Sequence, residues 1–122
     1  MKEVILDTSF ILSAVKEKID FFEDFKMQGF KPLIPKQVIN ELQGLLKSKK
    51  LRERESSKLA LKLIKSNYYK KIDLKTKSVD FGILKFSKAN PHVIVATLDR
   101  EIKHLTKNQK MVIRGKNKLE VV

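Results

Sequence analysis

Val4-Ile5-Leu6 is a short, unbroken apolar run that stops at Asp7-Thr8-Ser9. A run of that length ending on turn-forming residues predicts a buried strand. The polar trio also predicts a helix start, because Asp, Ser and Thr side chains accept from the unpaired N–H groups of a first turn. Phe10, Ile11, Ala14 and Val15 then recur at helical spacing. Phe21, Phe22 and Phe25, between Asp20 and Met27, predict a second short helix ended by Gly29. Lys31-Pro32-Leu33-Ile34-Pro35, fenced by prolines, predicts a brief strand. A helix is expected from Lys36 to Lys47, with Val38, Leu42 and Leu45 on one stripe. The polar, basic stretch Ser48-Lys49-Lys50-Leu51-Arg52 then reads as a connection.

The next helix is predicted from Glu53 to Ser66, with Leu59, Ala60, Leu63 and Ile64 inward. A weak strand follows at Lys70–Leu74. A helix over Ser78–Ala89 carries Val79, Ile83 and Phe86 on one face, and Asn90-Pro91 breaks it. Val93-Ile94-Val95-Ala96-Thr97 is the continuous apolar run expected of a central parallel strand. A helix over Arg100–Lys107 is predicted to turn Ile102 and Leu105 inward. Strands at Met111–Ile113 and Leu119–Val121 flank a hairpin turn at Gly115–Lys118. Strands alternating with helices predict an α/β sandwich with a mainly parallel sheet.

The chain has 122 residues, a length that predicts one domain over 1–122. It carries 27 Lys and Arg against 14 Asp and Glu, for a net charge of +13. So strong an excess points to a polyanionic partner, nucleic acid first and an anionic membrane surface second. No cysteine is present, which excludes a disulfide scaffold, a thiolate zinc site and a cysteine nucleophile. No apolar run is long enough to span a bilayer. The first residues lack the apolar core of a secretion signal, so a cytoplasmic location is expected.

Ligand sites in open α/β sheets lie beyond the carboxyl ends of the strands. Asp7 directly follows the first strand, and Asp99 follows Thr97 with one residue between. Asp80 falls in the first turn of its helix, where the helix dipole favours an anion. Glu41 lies about 40° from Leu45 and about 60° from Val38 around the helix axis, so it is expected to flank the buried stripe. Four carboxylates converging on one edge would repel one another, and a divalent cation removes that cost. Oxygen donors without cysteine select Mg²⁺ or Mn²⁺ over zinc. Spacing alone leaves a plainer alternative open. Asp7, Asp80 and Asp99 also suit helix caps, Glu41 a solvated surface, and Thr8, Ser9 and Thr97 turns. His92 and His104 read as surface residues.

Four stretches carry a resemblance: Val4-Ile5-Leu6-Asp7-Thr8-Ser9-Phe10-Ile11, Ile34–Leu42 with Glu41, Val79-Asp80, and Ile94-Val95-Ala96-Thr97-Leu98-Asp99-Arg100-Glu101-Ile102. In that order they resemble the PIN-domain nucleases. The Leu59–Lys65 and Val95–Glu101 stretches are most similar to the rRNA-processing branch, that of the small-subunit processome, and its archaeal relatives. The resemblance implies a three-layer α/β sandwich with a central, mainly parallel sheet of four to five strands. It implies that Asp7, Glu41, Asp80 and Asp99 form the catalytic pocket, with Asp7, Asp80 and Asp99 on the metal. Thr8, Ser9 and Thr97 hydroxyls would orient those carboxylates. The implied reaction is Mg²⁺- or Mn²⁺-assisted endonucleolytic hydrolysis of RNA. Lys47, Lys49, Lys50, Arg52, Arg54, Arg100 and Lys103 are the candidates for holding the RNA backbone. A homodimer is expected, since dimers are common in the family. That branch usually has paired aspartates where this chain has Asp80-Phe81, so a second metal position lacks its acid. Two alternatives follow: a weakly active or inactive RNA-binding assembly factor, and a PIN toxin held by an antitoxin. A receiver-like phosphoacceptor would need an acidic pair after the first strand, and Asp7-Thr8 is not one.

Overall fold

The structure, a computed structural model, describes residues 1–122. Its first strand, β1 (Lys2–Leu6), sits in the middle of the sheet, paired in parallel with β2 (Phe30–Pro35) on one side and β4 (Ile94–Ala96) on the other. That position explains the unbroken apolar runs, since a central strand is covered on both faces. Val4, Ile5 and Leu6 are fully buried, as are Ile94, Val95 and Ala96. The other strands are β3 (Lys70–Ile72), β5 (Lys110–Arg114) and β6 (Lys118–Val121), and the full order is β3-β2-β1-β4-β5-β6. Only the β5–β6 pair is antiparallel. The chain therefore winds outward from β1 to β3, then returns to β4 beside β1. That reversal leaves a crevice beyond the carboxyl ends of β1 and β4, the place where such sheets bind ligands.

Helices flank the sheet: α1 (Thr8–Lys16), α2 (Phe21–Gln28), α3 (Lys36–Leu45), α4 (Leu51–Lys65), α5 (Val79–Ala89) and α6 (Arg100–Leu105). Phe21 of α2 meets Phe10 of α1, and Phe25 of α2 meets Phe30 of β2, edge-to-face with centroids 6.4 and 6.1 Å apart. Gly29 ends α2 at φ 76°, a left-handed conformation that glycine adopts without steric cost. No helix is long and apolar enough to cross a membrane.

The structure departs from the sequence expectations at several points along the chain. The sheet has the six strands that the apolar pattern predicts, more than the four to five that the family resemblance implies, because the β5–β6 hairpin adds an edge strand. Helix α4 begins at Leu51, so Leu51 and Arg52 are helical and not part of the connection. The start is set by Ser48, whose hydroxyl donates to Glu53 (2.5 Å) and accepts from Lys50 N–H (3.1 Å). Leu59 points outward, 57% exposed, while Ser56 and Ser57 face inward beside the expected Ala60 and Ile64. Small residues let α4 approach α1 and α3 closely, and hydrophobicity alone misidentifies that face. Leu105, at the end of α6, is likewise 55% exposed.

Gly82 sits where α5 presses on the loop after β3. A Cβ there would lie 2.8 Å from Leu74 Cβ and 2.9 Å from Thr76 Cγ2. Overpacking of this kind costs about 1–3 kcal/mol, and the helix propensity gained by removing glycine returns roughly 1 kcal/mol at most. Gly82→Ala is expected to lower the urea midpoint of unfolding and to displace the α5 N-terminus, which carries Asp80.

Candidate active site

The site is built around one buried carboxylate. Asp7 caps the N-terminus of α1 through Oδ1, which accepts from Thr8 N–H (2.8 Å). Its other oxygen, Oδ2, accepts from the hydroxyls of Thr97 (2.6 Å) and Ser9 (3.1 Å). Each hydroxyl in turn accepts from backbone on the β4–α6 turn: Thr97 from Asp99 N–H (3.0 Å) and Ser9 from Leu98 N–H (3.1 Å). With those lone pairs engaged, both hydroxyl protons point at Asp7. The Asp7 backbone N–H also donates to Ala96 O (2.9 Å), tying β1 to β4.

Asp7 is only 4% exposed, and its pKa is raised above the ordinary 3.8. Burial is the main cause, and the negative charge of Asp80 adds to it. The three hydrogen bonds pull the other way without cancelling the burial. Asp80, in the exposed first turn of α5, is therefore close enough for its charge to be felt at Asp7. Asp99 caps α6: Oδ1 accepts from Glu101 N–H (2.9 Å) and Ile102 N–H (3.1 Å), and Oδ2 makes no hydrogen bond. Glu41 is exposed to water, although Val38 and Leu42 on the same helix are fully buried, so its position beside the apolar stripe does not cover it. Its carboxylate still reaches the site, accepting from the Thr8 hydroxyl (2.5 Å).

No three His, Asp or Glu side chains converge tightly enough to enclose an ion by themselves. A closed cage is therefore absent, but the donor chemistry fits a hard cation. Mg²⁺ typically takes one or two carboxylates, keeps several waters and adds substrate phosphate oxygens. A desolvated Asp7 beside a like-charged Asp80 is the kind of oxygen pair such an ion relieves.

The basic candidates divide by position. Arg100 is exposed and Lys103 half-buried on α6, directly after Asp99. Lys47, Lys49 and Lys50 are exposed beyond the far end of α3, about 15 Å of helix from its start at the site edge. Arg52 is exposed on α4, while Arg54 donates to Ser48 O (2.8 Å) and is partly committed to that turn.

A polar groove of about 610 Å³ adjoins Glu41, lined by Lys36, Asn40, Lys75 and Lys77 among others. Sequence reasoning missed these lysines, although the signal was there. Lys36 directly follows β2, as Asp7 follows β1, and Lys75 and Lys77 follow β3. Asp73 anchors the groove floor. The Gln37 amide (2.7 Å), Lys75 N–H (2.8 Å) and Lys36 Nζ (3.4 Å) hold its pKa down to about 2. The two histidines lie elsewhere. His92 precedes β4 and faces Glu3 at 3.8 Å, at the opposite end of the sheet from Asp7, and His104 is exposed on α6.

A parallel sheet with a buried aspartate after its central strand and further acids around the β1/β4 crevice defines a nuclease-like α/β class. The PIN like domain family matches residues 4–118, and the chain belongs to that family, the PIN-domain nucleases. Ribonuclease VapC4 of Methanocaldococcus jannaschii is 35% identical over 129 residues, covering 99% of this chain and 97% of that protein. The solved PIN domain endonuclease Utp24 is 25% identical with a TM-score of 0.77, over 98% of this chain and 90% of that one. VapBC2 of Rickettsia felis, solved bound to a DNA fragment from its promoter, shares the fold at TM-score 0.54 and 18% identity, over 88% of this chain and 96% of that one.

Because Asp7 binds its proton more tightly in the folded chain than in the unfolded one, folding is favoured below 3.8 and loses stability as pH rises through the raised value. Asp7→Asn removes that loss and keeps the α1 cap. In EDTA, Asp7→Asn is expected to melt above wild type at neutral pH, with the gap closing in acid. Thermal melts across pH check this, and a gap that widens in acid would contradict it.

Proposed function

We propose that this chain is a divalent-metal-dependent endoribonuclease acting at the β1/β4 edge. Asp7 with Asp80 would supply carboxylate oxygens to Mg²⁺ or Mn²⁺, Asp99 would reach the ion from the α6 cap directly or through water, and Glu41 would stand at the rim. The observation that carries this reading is the desolvated Asp7 carboxylate, aimed by two hydroxyls and raised in pKa next to Asp80. A carboxylate serving only as a helix cap needs neither the burial nor the acidic neighbour. When bound, the ion supplies water activation at neutral pH and offsets the charge that builds on the phosphate. The protein supplies the rest. Ser9 and Thr97 fix Asp7, Thr8 fixes Glu41, and Lys36, Lys75, Lys77, Arg100 and Lys103 draw the phosphodiester backbone toward the edge. Catalysis by a histidine pair finds no support, since His92 lies at the other end of the sheet and His104 on an exposed helix face.

Two cellular roles are supported by different relatives. Similarity to Utp24 and the motifs around Leu59–Lys65 and Val95–Glu101 favour processing of ribosomal RNA. The 35% identity to ribonuclease VapC4 favours a toxin restrained by an antitoxin. Expression of the chain alone separates them: a toxin arrests growth and is rescued by the product of an adjacent gene.

RNA cleavage is expected to require Mg²⁺ or Mn²⁺ and to stop in EDTA. Asp7→Asn and Asp99→Asn should lose more than the roughly 10- to 100-fold typical of residues that only orient a ligand, whereas Thr97→Val should fall within that range and Glu41→Gln should lose less. Cleavage by Asp7→Asn at the wild-type rate would refute the assignment.

RNA affinity should also drop steeply with salt. Replacing Lys36, Lys75 and Lys77 together by Ala is expected to reduce the slope of log affinity against log salt by about 2 for a single strand. Fluorescence anisotropy in EDTA measures this without cleavage.

A further inference from the structure

We infer that the groove between α5 and α6 carries single-stranded RNA away from the acidic edge, with a nucleobase stacked on Phe81. This rests on the ribonuclease reading and adds to it a base-stacking position and a route.

Phe81 directly follows Asp80 and is 59% exposed. This chain thus presents an aromatic ring to solvent immediately after an acid of the site. The ring opens onto a groove of about 680 Å³, in which Leu84 and the exposed Leu105 continue the apolar floor. The charged side chains lining it are Lys85, Lys88 and Lys107, and no carboxylate is among the lining residues. Phe81, Lys85 and Lys88 stand at i, i+4 and i+7, so the ring and two ammonium groups share one stripe of α5.

Apolar faces interleaved with cations match a single strand, whose bases have π-faces and whose phosphates are anionic. They do not match a second copy of this chain, because self-association on this face would set lysines against lysines in a molecule of net charge +13. A duplex, with its bases stacked inside, would leave the ring unused. The groove begins at Phe81, one residue after Asp80 in the first turns of α5, so a strand leaving the acids has a short path into it.

The test uses a fluorescein-labelled oligouridylate of about a dozen nucleotides, and the same backbone with abasic sites, titrated in EDTA. Phe81→Ala is expected to weaken binding of the oligouridylate by roughly 5- to 100-fold, and Phe81→Tyr to bind like wild type. The abasic strand should bind wild type and Phe81→Ala equally. Because the ring is exposed, Phe81→Ala should melt with wild type, and a melting curve confirms that the variant is folded. Equal affinity of wild type and Phe81→Ala for the oligouridylate overturns the inference, as does undiminished wild-type binding to the abasic strand. A concentration-dependent dimer abolished by Phe81→Ala, with RNA affinity unchanged, also overturns it and makes the groove a protein interface. If wild type cleaves RNA while Phe81→Ala binds and cleaves identically, this inference alone fails. If wild type neither binds nor cleaves RNA, the ribonuclease reading fails with it.

Discussion

A carboxylate buried at the end of a central strand has to be surrounded by donors, by positive charge, or by both. At Asp7 the donors are Thr8 N–H and the hydroxyls of Ser9 and Thr97, and the carboxylate of Asp80 adds a smaller, unfavourable charge. Much of the surrounding structure follows from holding Asp7 there. Thr97 and Ser9 bridge Asp7 to the backbone of Leu98 and Asp99, so the turn after β4 is bonded to the turn after β1. The same bonds orient the start of α6 and bring Asp99 to the crevice.

This arrangement spends folding stability on a site. Burying a carboxylate beside another negative group is unfavourable unless something positive completes it. Around this edge the chain places Lys36, Lys75, Lys77, Arg100 and Lys103, all of them outside the buried core. None forms an ion pair with Asp7, and Lys36 is partly engaged by Asp73 at 3.4 Å. The local charge is therefore left to be balanced by what binds, which accords with an ion at the acids and a polyanion along the lysines.

Positions adjacent to strand ends were legible because the chain direction in a parallel sheet determines where each strand's last residue emerges. Val4-Ile5-Leu6 and Val93–Thr97 are apolar without interruption, so Asp7 and Asp99 had to appear at the same edge. The β5–β6 hairpin was legible for a similar local reason, with Gly115 and Asn117 at positive φ. The inward faces of α4 and α6 were legible only in part: Ala60, Ile64 and Ile102 are buried as expected, whereas Ser56, Ser57, Leu59 and Leu105 depart from the pattern. Ser56, Ser57 and Ala60 are buried because neighbouring helices come close, and Leu59 and Leu105 are exposed because nothing packs over them. Neither fact is local to those residues.

The sequence by itself determined the family, the succession of strands and helices along the chain, and the four candidate acids, since each depends on short-range patterns of apolar runs, caps and motifs. Only the tertiary structure decided how those acids differ. Asp7 is desolvated because β4 and α1 close over it, Asp99 is half committed to capping α6, and Glu41 is exposed but held by Thr8. It also decided that Lys36, Lys75 and Lys77 share a groove, and that Phe81 faces solvent. Burial and electrostatic coupling are properties of distance through space, and residues such as Asp7 and Thr97, far apart along the chain, acquire that distance only when the sheet forms.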